Sequence, residues 1–291
     1  MRHPILALLI VLTSASTLSA QASGPSRGSL VIVGGGNLAG AGILERFLDL
    51  AGGGDQPIVV IPTAGEDDAY DDSWDGLRQL RAAGARRLRV LHTRDRKVAD
   101  TPDFVAAIRE ARGVWFPGGR HWRLADSYLN TRTQRELEAL LARGGVIGGT
   151  SAGATILGSF MVRGDTKGNE LMIGDHVDGL GFIKGVTIDQ HLLKRNRQFD
   201  LLPVIASRPE LLGIGLDEST AIVVRGNAFE VIGKSYVAIY DAQRSLDSGG
   251  QFYFLTAGDR YDLSTREARR ETTRMDAVPR VKKEGWRRPS P

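Results

Sequence analysis

A serine hydroxyl stands among small residues in the segment Gly-Thr-Ser-Ala-Gly at 149–153, directly after the apolar run at 145–147. The pattern G-x-S-x-G between a predicted strand and a predicted helix is typical of a nucleophile elbow, where small neighbours permit a strained turn that exposes the hydroxyl. The N–H of Ala152, at the start of the helix, would be one hydrogen-bond donor to an oxyanion. The alternative is a glycine-rich turn in which Ser151 only caps the helix.

A serine nucleophile needs a general base, and two histidines follow Ser151 in the chain. His191 lies at the end of a predicted strand among polar residues, which is unusual for a histidine of the core. These neighbours are Asp189, Gln190, Arg195 and Arg197. His176 lies in a segment with the composition of a turn. We favour His191 as the base, with His176 as the alternative.

The base in turn needs a carboxylate that orients it. A short predicted strand that begins at residue 213 ends in Asp217 and Glu218, and either side chain fits this role. The order serine, histidine, acid differs from the order serine, acid, histidine of the α/β-hydrolases. The sequence therefore indicates a different fold family.

Two glycine-rich segments precede the serine. Gly118 and Gly119 end a predicted strand, where the N–H of Gly119 would be a second donor to the oxyanion; the alternative is a plain turn between strand and helix. Residues 34–40 fit a dinucleotide-binding pattern only loosely, and the next strand lacks the terminal acid that would bind a ribose. No metal-binding motif is present, so we predict neither a cofactor nor a metal.

These residues must be positioned by a sheet, and apolar segments alternate with helical ones over 29–160. The predicted strands are 29–36, 57–63, 87–93, 113–119 and 145–149. The predicted helices are 41–52, 73–85, 102–112, 133–145 and one that begins at 151. Continuously apolar strands between helices predict an α/β fold with a doubly wound, mostly parallel sheet covered on both faces. In the first helix one stripe is apolar: Ile43, Leu44, Phe47, Leu48 and Ala51.

Beyond residue 160 the pattern changes to short β-type runs separated by turns, which predicts an antiparallel, β-rich extension. Residues 23–265 read as one domain. Residues 266–291 carry nine Lys and Arg against four Asp and Glu, and we expect a basic, disordered tail, with a binding arm as the alternative. Since that tail accounts for the net charge of +4, the sequence predicts no binding of nucleic acid.

Residues 1–22 have a basic start, a short apolar centre and the small-x-small site Ala-Gln-Ala at 20–22. This is typical of a signal peptide cleaved after Ala22, and predicts a periplasmic or secreted protein without a stable membrane anchor. The alternative is an uncleaved anchor. The chain contains no cysteine, which excludes a thiolate nucleophile, disulfides and a lipoprotein anchor.

Taken in order, "GGTSAGA", "DQH" followed by spaced arginines, and "GIGLDE" resemble the cyanophycinase branch of the peptidase S51 family, and "GGGN" and "WFPGG" fit as well. The resemblance covers about residues 28–240. It implies a fold like class I glutamine amidotransferases (flavodoxin-like) and a triad of Ser151, His191 and Glu218. The substrate-binding positions that it implies are His121, Asp189, Gln190, Arg195 and Arg197.

The same resemblance implies a serine-type exopeptidase that cleaves peptide bonds at aspartyl residues. The substrate would be a peptide or polymer rich in Asp and Arg, such as cyanophycin, from which β-aspartyl-arginine is released. Asp189 would take a guanidinium, and Arg195 and Arg197, if the segment is extended, would point the same way and clamp carboxylates.

Two positions depart from the family pattern: His121 stands where glutamine is usual, and Asp200 stands near an expected third arginine. Both changes concern the substrate pocket. The alternatives are an aspartyl or isoaspartyl dipeptidase, and a binding protein without turnover on the same fold. The sequence leaves open whether the protein is a monomer or a homodimer.

Overall fold

The computed structural model describes residues 23–244, 246 and 249–270. The predicted signal peptide and most of the predicted tail lie outside these residues. Within the described part of the chain, no helix is long and apolar enough to cross a membrane.

The described residues form fourteen strands. They are β1 (Ser29–Val33), β2 (Pro57–Val60), β3 (Arg87–Val90), β4 (Gly113–Phe116), β5 (Val146–Thr150), β6 (Gly158–Phe160), β7 (Ile183–Gln190), β8 (Leu212–Leu216), β9 (Thr220–Arg225), β10 (Ala228–Gly233), β11 (Val237–Asp241), β12 (Tyr253–Leu255), β13 (Arg260–Asp262) and β14 (Glu267–Arg269).

The same residues form eight α-helices. They are α1 (Ile43–Ala51), α2 (Arg78–Ala82), α3 (Arg96–Ala99), α4 (Ala106–Glu110), α5 (His121–Tyr128), α6 (Arg132–Ala142), α7 (Ala152–Thr155) and α8 (Leu201–Ser207). A 3₁₀ turn at Asp75–Leu77 precedes α2.

Nine strands form the first sheet in the order β14-β13-β10-β9-β1-β5-β4-β2-β3. The five strands from β1 to β3 in this order pair in parallel, which confirms the predicted doubly wound unit. The other four join antiparallel beyond β1. Strand β5 therefore lies between β1 and β4, near the middle of the strand order. Folds of this kind bind ligands at the edge formed by the carboxyl ends of the parallel strands, where β5 ends.

The central strands are buried on both faces, as their apolar composition predicts. In β1, Leu30 and Ile32 belong to one hydrophobic cluster, and Val31 and Val33 belong to a second cluster. Alternate side chains of a strand point to opposite faces, so the two clusters are the cores above and below the sheet. The predicted apolar stripe of α1 is confirmed, because all five of its residues are buried in the second cluster.

Five strands form a second sheet in the order β12-β11-β8-β7-β6. The prediction of an antiparallel extension is wrong for β6, β7 and β8, which pair in parallel. It is correct for the pairs that β11 makes with β8 and β12, and for β9, β10, β13 and β14. Helix α8 provides the crossover between β7 and β8, and its Pro203 lies in the first turn, where proline is tolerated.

Helices α3, α5 and α8 have no counterpart among the predicted elements, and α2 and α4 are shorter than predicted. The predicted domain boundary at residue 265 differs from the structure as well. Residues Glu267–Arg269 form β14 and pair with Arg260–Asp262, so the start of the predicted tail is part of the first sheet.

Candidate active site

Ser151 occupies the turn between β5 and α7 with φ 55° and ψ −116°. Residues with a Cβ rarely adopt positive φ, so this is the strained turn that the sequence predicts. A Cβ on Gly149 would lie 2.0 Å from the carbonyl oxygen of Gly153, and a Cβ on Gly153 would lie 2.0 Å from that of Phe116. Glycine is therefore required on both sides of the serine by the closeness of the backbone.

His191 follows β7 directly, and its side chain reaches Ser151 from the second sheet. The hydroxyl of Ser151 lies 2.8 Å from His191 Nε2, and His191 Nδ1 lies 2.7 Å from Glu218 Oε1. If Nδ1–H donates to the carboxylate, Nε2 carries the lone pair that accepts the serine hydrogen. The structure thus brings together the three residues of the predicted triad in one chain of hydrogen bonds.

The two alternative residues have other partners. Asp217 accepts hydrogen bonds from the backbone N–H groups of Leu193 and Lys194 at 2.9 and 3.0 Å, and therefore holds the turn that follows the histidine. His176 lies 2.8 Å from Asp126 and 3.0 Å from Asp175, and makes no contact with the serine. Of the two acids at the end of β8, Glu218 is the one that meets His191.

The glycines at 34–36 pack against the histidine and the acid. A Cβ on Gly35 would lie 2.3 Å from His191 Cε1, and a Cβ on Gly36 would lie 2.8 Å from Glu218 Cβ. The carbonyl oxygen of Gly34 accepts the N–H of His191 at 2.9 Å. The motif that loosely resembles a dinucleotide-binding loop therefore leaves room for these two side chains and fixes their backbone.

Burial lowers the pKa of His191, because the charged imidazolium is poorly solvated in this position. The hydrogen bond that the imidazole donates to Glu218 raises this pKa, whereas the positive charges of Arg195 and Arg197 lower it. The net shift is downward, so the imidazole is neutral and able to accept a proton near pH 7.

The two predicted oxyanion donors border the serine. Among the residues that the structure describes, the N–H groups of Gly119 and Ala152 make no hydrogen bond to the protein. A Cβ on Gly118 would lie 3.6 Å from Ser151 Oγ, which places this backbone against the hydroxyl. Because α7 has only four residues, its free N–H groups contribute more to the stabilisation of an oxyanion than its helix dipole does.

A cavity of about 250 Å³ opens beside Ser151. Three charged residues, Glu66, Arg120 and Arg195, contribute to its lining together with the amide of Asn169. Glu66, Arg120 and Asn169 were not among the site residues predicted from the sequence. Glu66 follows β2 and Arg120 follows β4, and the carboxyl ends of these strands lie at the same sheet edge as that of β5. This position after a parallel strand is the feature of the sequence that could have indicated both residues.

The sequence profile of Peptidase family S51 matches residues 30–232. This chain belongs to peptidase family S51. It is 34% identical over 263 residues to a cyanophycinase from Geminocystis herdmanii, covering 83% of this chain and 96% of that protein. It is 32% identical over 235 residues to a cyanophycinase from Nostoc sp., covering 78% of each. The resemblance to the cyanophycinase branch is therefore confirmed.

Solved structures agree with this assignment. A peptidase from an acI-B1 Actinobacterium superposes with a TM-score of 0.60 at 26% identity, covering 82% of this S51 peptidase and 98% of that chain. A structure assigned by its name to peptidase E, from Listeria monocytogenes EGD-e, gives a TM-score of 0.52 at 17% identity, covering 72% and 100%, and supports the fold alone. The predicted fold, a mixed and mostly parallel α/β sheet like that of class I glutamine amidotransferases, is confirmed.

Asp189 differs from its predicted role in this S51 peptidase. Its side chain is fully buried, and both oxygens accept hydrogen bonds from Arg163, at 2.9 Å from Nε and 3.1 Å from Nη2. Arg163 also pairs with Asp200. In this structure Asp189 therefore binds a guanidinium of the chain itself and is not exposed to the cavity.

Arg195 and Arg197 do not form the extended pair that their spacing predicts. Residues 191–198 form turns, in which the N–H of Arg195 bonds to His191 O and that of Arg197 bonds to Leu192 O. Arg195 is exposed and lines the cavity, whereas Arg197 is buried. Arg197 Nη1 donates to both the backbone and side-chain oxygens of Gln190 at 3.1 Å, which orients an amide that also lines the cavity.

His121 begins α5 and lines the cavity, but it is almost fully buried. Its Nε2 donates to the carbonyl oxygen of Val162 at 2.8 Å, and its Nδ1 has no hydrogen-bond partner in the described part of the protein. Burial lowers the pKa of His121 to about 4, so the ring is neutral near pH 7. The histidine thus borders the cavity as a neutral ring whose unpaired Nδ1 is buried.

Proposed function

We propose that this S51 peptidase is a serine-type hydrolase that cleaves peptide bonds at aspartyl residues, with Ser151 as nucleophile, His191 as general base and Glu218 as the acid that orients the base. The observation that carries the proposal is the continuous chain of contacts at 2.8 and 2.7 Å from hydroxyl to imidazole to carboxylate. A protein that only binds peptides has no need of this arrangement beside an open cavity.

In the proposed mechanism the oxygen of Ser151 attacks the scissile carbonyl carbon while His191 Nε2 takes its proton. The oxyanion accepts hydrogen bonds from the N–H groups of Gly119 and Ala152. His191 then gives the proton to the departing amine as the C–N bond breaks. Water, deprotonated by the same imidazole, hydrolyses the acyl-enzyme and restores the serine. Glu218 stabilises the imidazolium in both steps.

The proposed substrate is a peptide or polymer rich in Asp and Arg, from which the enzyme releases β-aspartyl-arginine as the relatives named cyanophycinase suggest. Arg120 and Arg195 support the acidic part of this proposal, because both residues line the cavity and arginine binds carboxylates through two hydrogen bonds. A dipeptidase for aspartyl or isoaspartyl peptides is the second candidate, favoured by the small volume of the cavity, about 250 Å³.

The test combines active-site labelling with product analysis. Purified protein is treated with a fluorophosphonate probe and, separately, incubated with cyanophycin and a panel of β-aspartyl dipeptides whose products are identified by mass spectrometry. We expect labelling at Ser151 and hydrolysis that Ser151→Ala abolishes. Ser159→Ala is the matched control, because Ser159 hydrogen-bonds Val186 of the sheet and lies outside the triad. Retention of more than about a tenth of kcat in Ser151→Ala would contradict the assignment.

We also propose that the chain is exported and cleaved after Ala22, on the pattern of its first 22 residues. In the described structure the residue after that bond, Ser23, is anchored: its N–H donates to Asn227 Oδ1 at 2.7 Å and its carbonyl accepts from Lys184 at 2.7 Å. N-terminal sequencing of the protein from periplasm and medium tests this proposal. A cell-associated protein that begins at Met1 would contradict it.

A further inference from the structure

An arginine-containing substrate finds no free acid at the position that the family resemblance assigns to its cation. Asp189 is fully buried and has both oxygens bound by Arg163, whose side chain is only 3% exposed. Asp200, the residue that stands where another arginine was expected, also pairs with Arg163. The chain therefore fills this place with its own guanidinium, and a substrate guanidinium needs a different partner.

Glu66 is the one acidic residue in the lining of the cavity beside Ser151. Its side chain is exposed and makes no hydrogen bond or ion pair with any residue in the described part of the chain. It is not paired with Arg120 or Arg195, the two cations of the same lining. An unpaired carboxylate and two unpaired guanidinium groups around one cavity match a ligand that carries both signs of charge.

The backbone on both sides of Glu66 is held in place. Arg94 Nη2 donates to the carbonyl oxygens of Gly65 and Asp67, each at 2.8 Å. The carbonyl oxygen of Ala64 accepts the N–H of Arg120 at 2.7 Å, next to the predicted oxyanion glycine. The backbone that carries Glu66 is thus fixed beside the cavity that Ser151 also lines, and only the side chain must be ordered when it binds a cation.

We propose that Glu66 is the specificity residue that binds the positively charged group of the substrate. A carboxylate and a guanidinium pair through two parallel hydrogen bonds, while Arg195 and Arg120 remain available for carboxylates of the same substrate. The proposal rests on the proposed function, since it concerns the same cavity. The cation can be an arginine side chain or a free α-ammonium group, and the experiment separates these two sources.

The experiment measures steady-state kinetics with a short peptide of three aspartate–arginine units and with the same peptide carrying citrulline, a neutral isostere, in place of arginine. We expect Glu66→Gln to raise KM for the arginine peptide roughly tenfold, the loss of one charge-assisted hydrogen bond, with kcat nearly unchanged. If the partner of Glu66 is the guanidinium, KM for the citrulline peptide should not change. Asp67→Asn is the matched control, because Asp67 is exposed but does not line the cavity.

A second pair of peptides, acetylated at the α-amino group, identifies the cation. If acetylation removes the effect of Glu66→Gln, the partner of Glu66 is the α-ammonium group; if citrulline removes it, the partner is the guanidinium. An effect of Glu66→Gln that neither citrulline nor acetylation reduces, or the same effect in Asp67→Asn, would overturn the proposal.

Binding is also measured without turnover, by calorimetry of the same peptides with Ser151→Ala and with Ser151→Ala/Glu66→Gln. A preference for the cationic peptide that disappears with Glu66 would support the proposal even if the wild-type enzyme hydrolyses none of the peptides, in which case only the proposed function fails. Binding that is equal in both variants would overturn the assignment of Glu66 and leave the hydrolase proposal intact.

Discussion

Ser151 and His191, whose side chains meet at 2.8 Å, both have a φ of 55°. Each residue directly follows a strand, Ser151 after β5 of the first sheet and His191 after β7 of the second. Each sheet therefore contributes one strained residue to the contact between the nucleophile and its base. Positive φ in residues with a Cβ costs about 1–3 kcal/mol and is common at functional sites.

This strain predicts a difference between two inactive variants. Ser151→Gly should be more stable than Ser151→Ala by about 1 kcal/mol, because glycine adopts positive φ without strain and alanine does not. Both variants should lose hydrolysis. Chemical denaturation measures the free energies of unfolding. Equal stability of the two variants would show that the turn at 151 is not strained.

The lowered pKa of His191 predicts the pH dependence of activity. Since the neutral imidazole accepts the serine proton, kcat/KM should rise with pH, with a midpoint below the ordinary histidine value of about 6.5. In Glu218→Gln the hydrogen bond that raises this pKa loses its charge, so the midpoint should move to still lower pH and the plateau should fall. A profile with no acid limb at any pH at which the protein stays folded would contradict a histidine base.

The different settings of the two arginines predict different effects of the same substitution. Arg195→Lys should raise KM for an aspartyl substrate about tenfold without changing stability, because the exposed side chain loses only its two-point contact with a carboxylate. Arg197→Lys should also lower the free energy of unfolding by about 1–2 kcal/mol, because it disturbs the buried hydrogen bonds from the guanidinium to Gln190. Kinetics and denaturation of both variants measure the contrast. Identical behaviour of the two would refute it.

The buried Arg163–Asp189 pair predicts a rescue. Arg163→Met should destabilise the protein by about 3–5 kcal/mol, since it removes both hydrogen bonds that a fully buried carboxylate accepts from side chains and leaves it the ion pair with Arg197 at 3.8 Å, and Arg163→Met/Asp189→Asn should recover much of that loss. Asp200→Arg alone should destabilise as well, because its guanidinium would face that of Arg163. The measurement is the free energy of unfolding of each variant. A double variant no more stable than Arg163→Met would argue against charge compensation.

The buried His121 predicts a loss of stability in acid. Its pKa is about 4 in the folded state and about 6.5 when unfolded, so below pH 6.5 the unfolded chain binds a proton that the folded protein does not. The contribution to stability is therefore complete above pH 6.5 and declines until about pH 4, by at most about 3 kcal/mol. His121→Gln keeps an amide donor for the carbonyl of Val162 and should lack this decline. Denaturation curves between pH 4 and 8 compare the two proteins, and parallel curves would contradict the prediction.

Structural features that depend only on residues close together in the chain could be predicted from the sequence. The turn at Ser151 requires small residues on either side because of local backbone clashes, so its motif is visible in five consecutive letters. The buried stripe of α1 follows from the period of a helix, and the parallel core follows from apolar strands that alternate with helices. The choice of Glu218 over Asp217 came from family resemblance, since the residues themselves allowed both.

Tertiary structure alone decided the features that join distant parts of the chain. Strands β6, β7 and β8 read as an antiparallel extension because a short apolar run carries no signal for the direction of its partner. Asp189 was expected to face a substrate, but Arg163, which lies 26 residues earlier in the chain, donates hydrogen bonds to its carboxylate. Only its position after β2 pointed to Glu66, and other acids of the same loop share that position. Local steric constraints are determined by adjacent residues and are therefore visible in the sequence. The pairing of charges and strands depends on which remote residues the folded chain brings together.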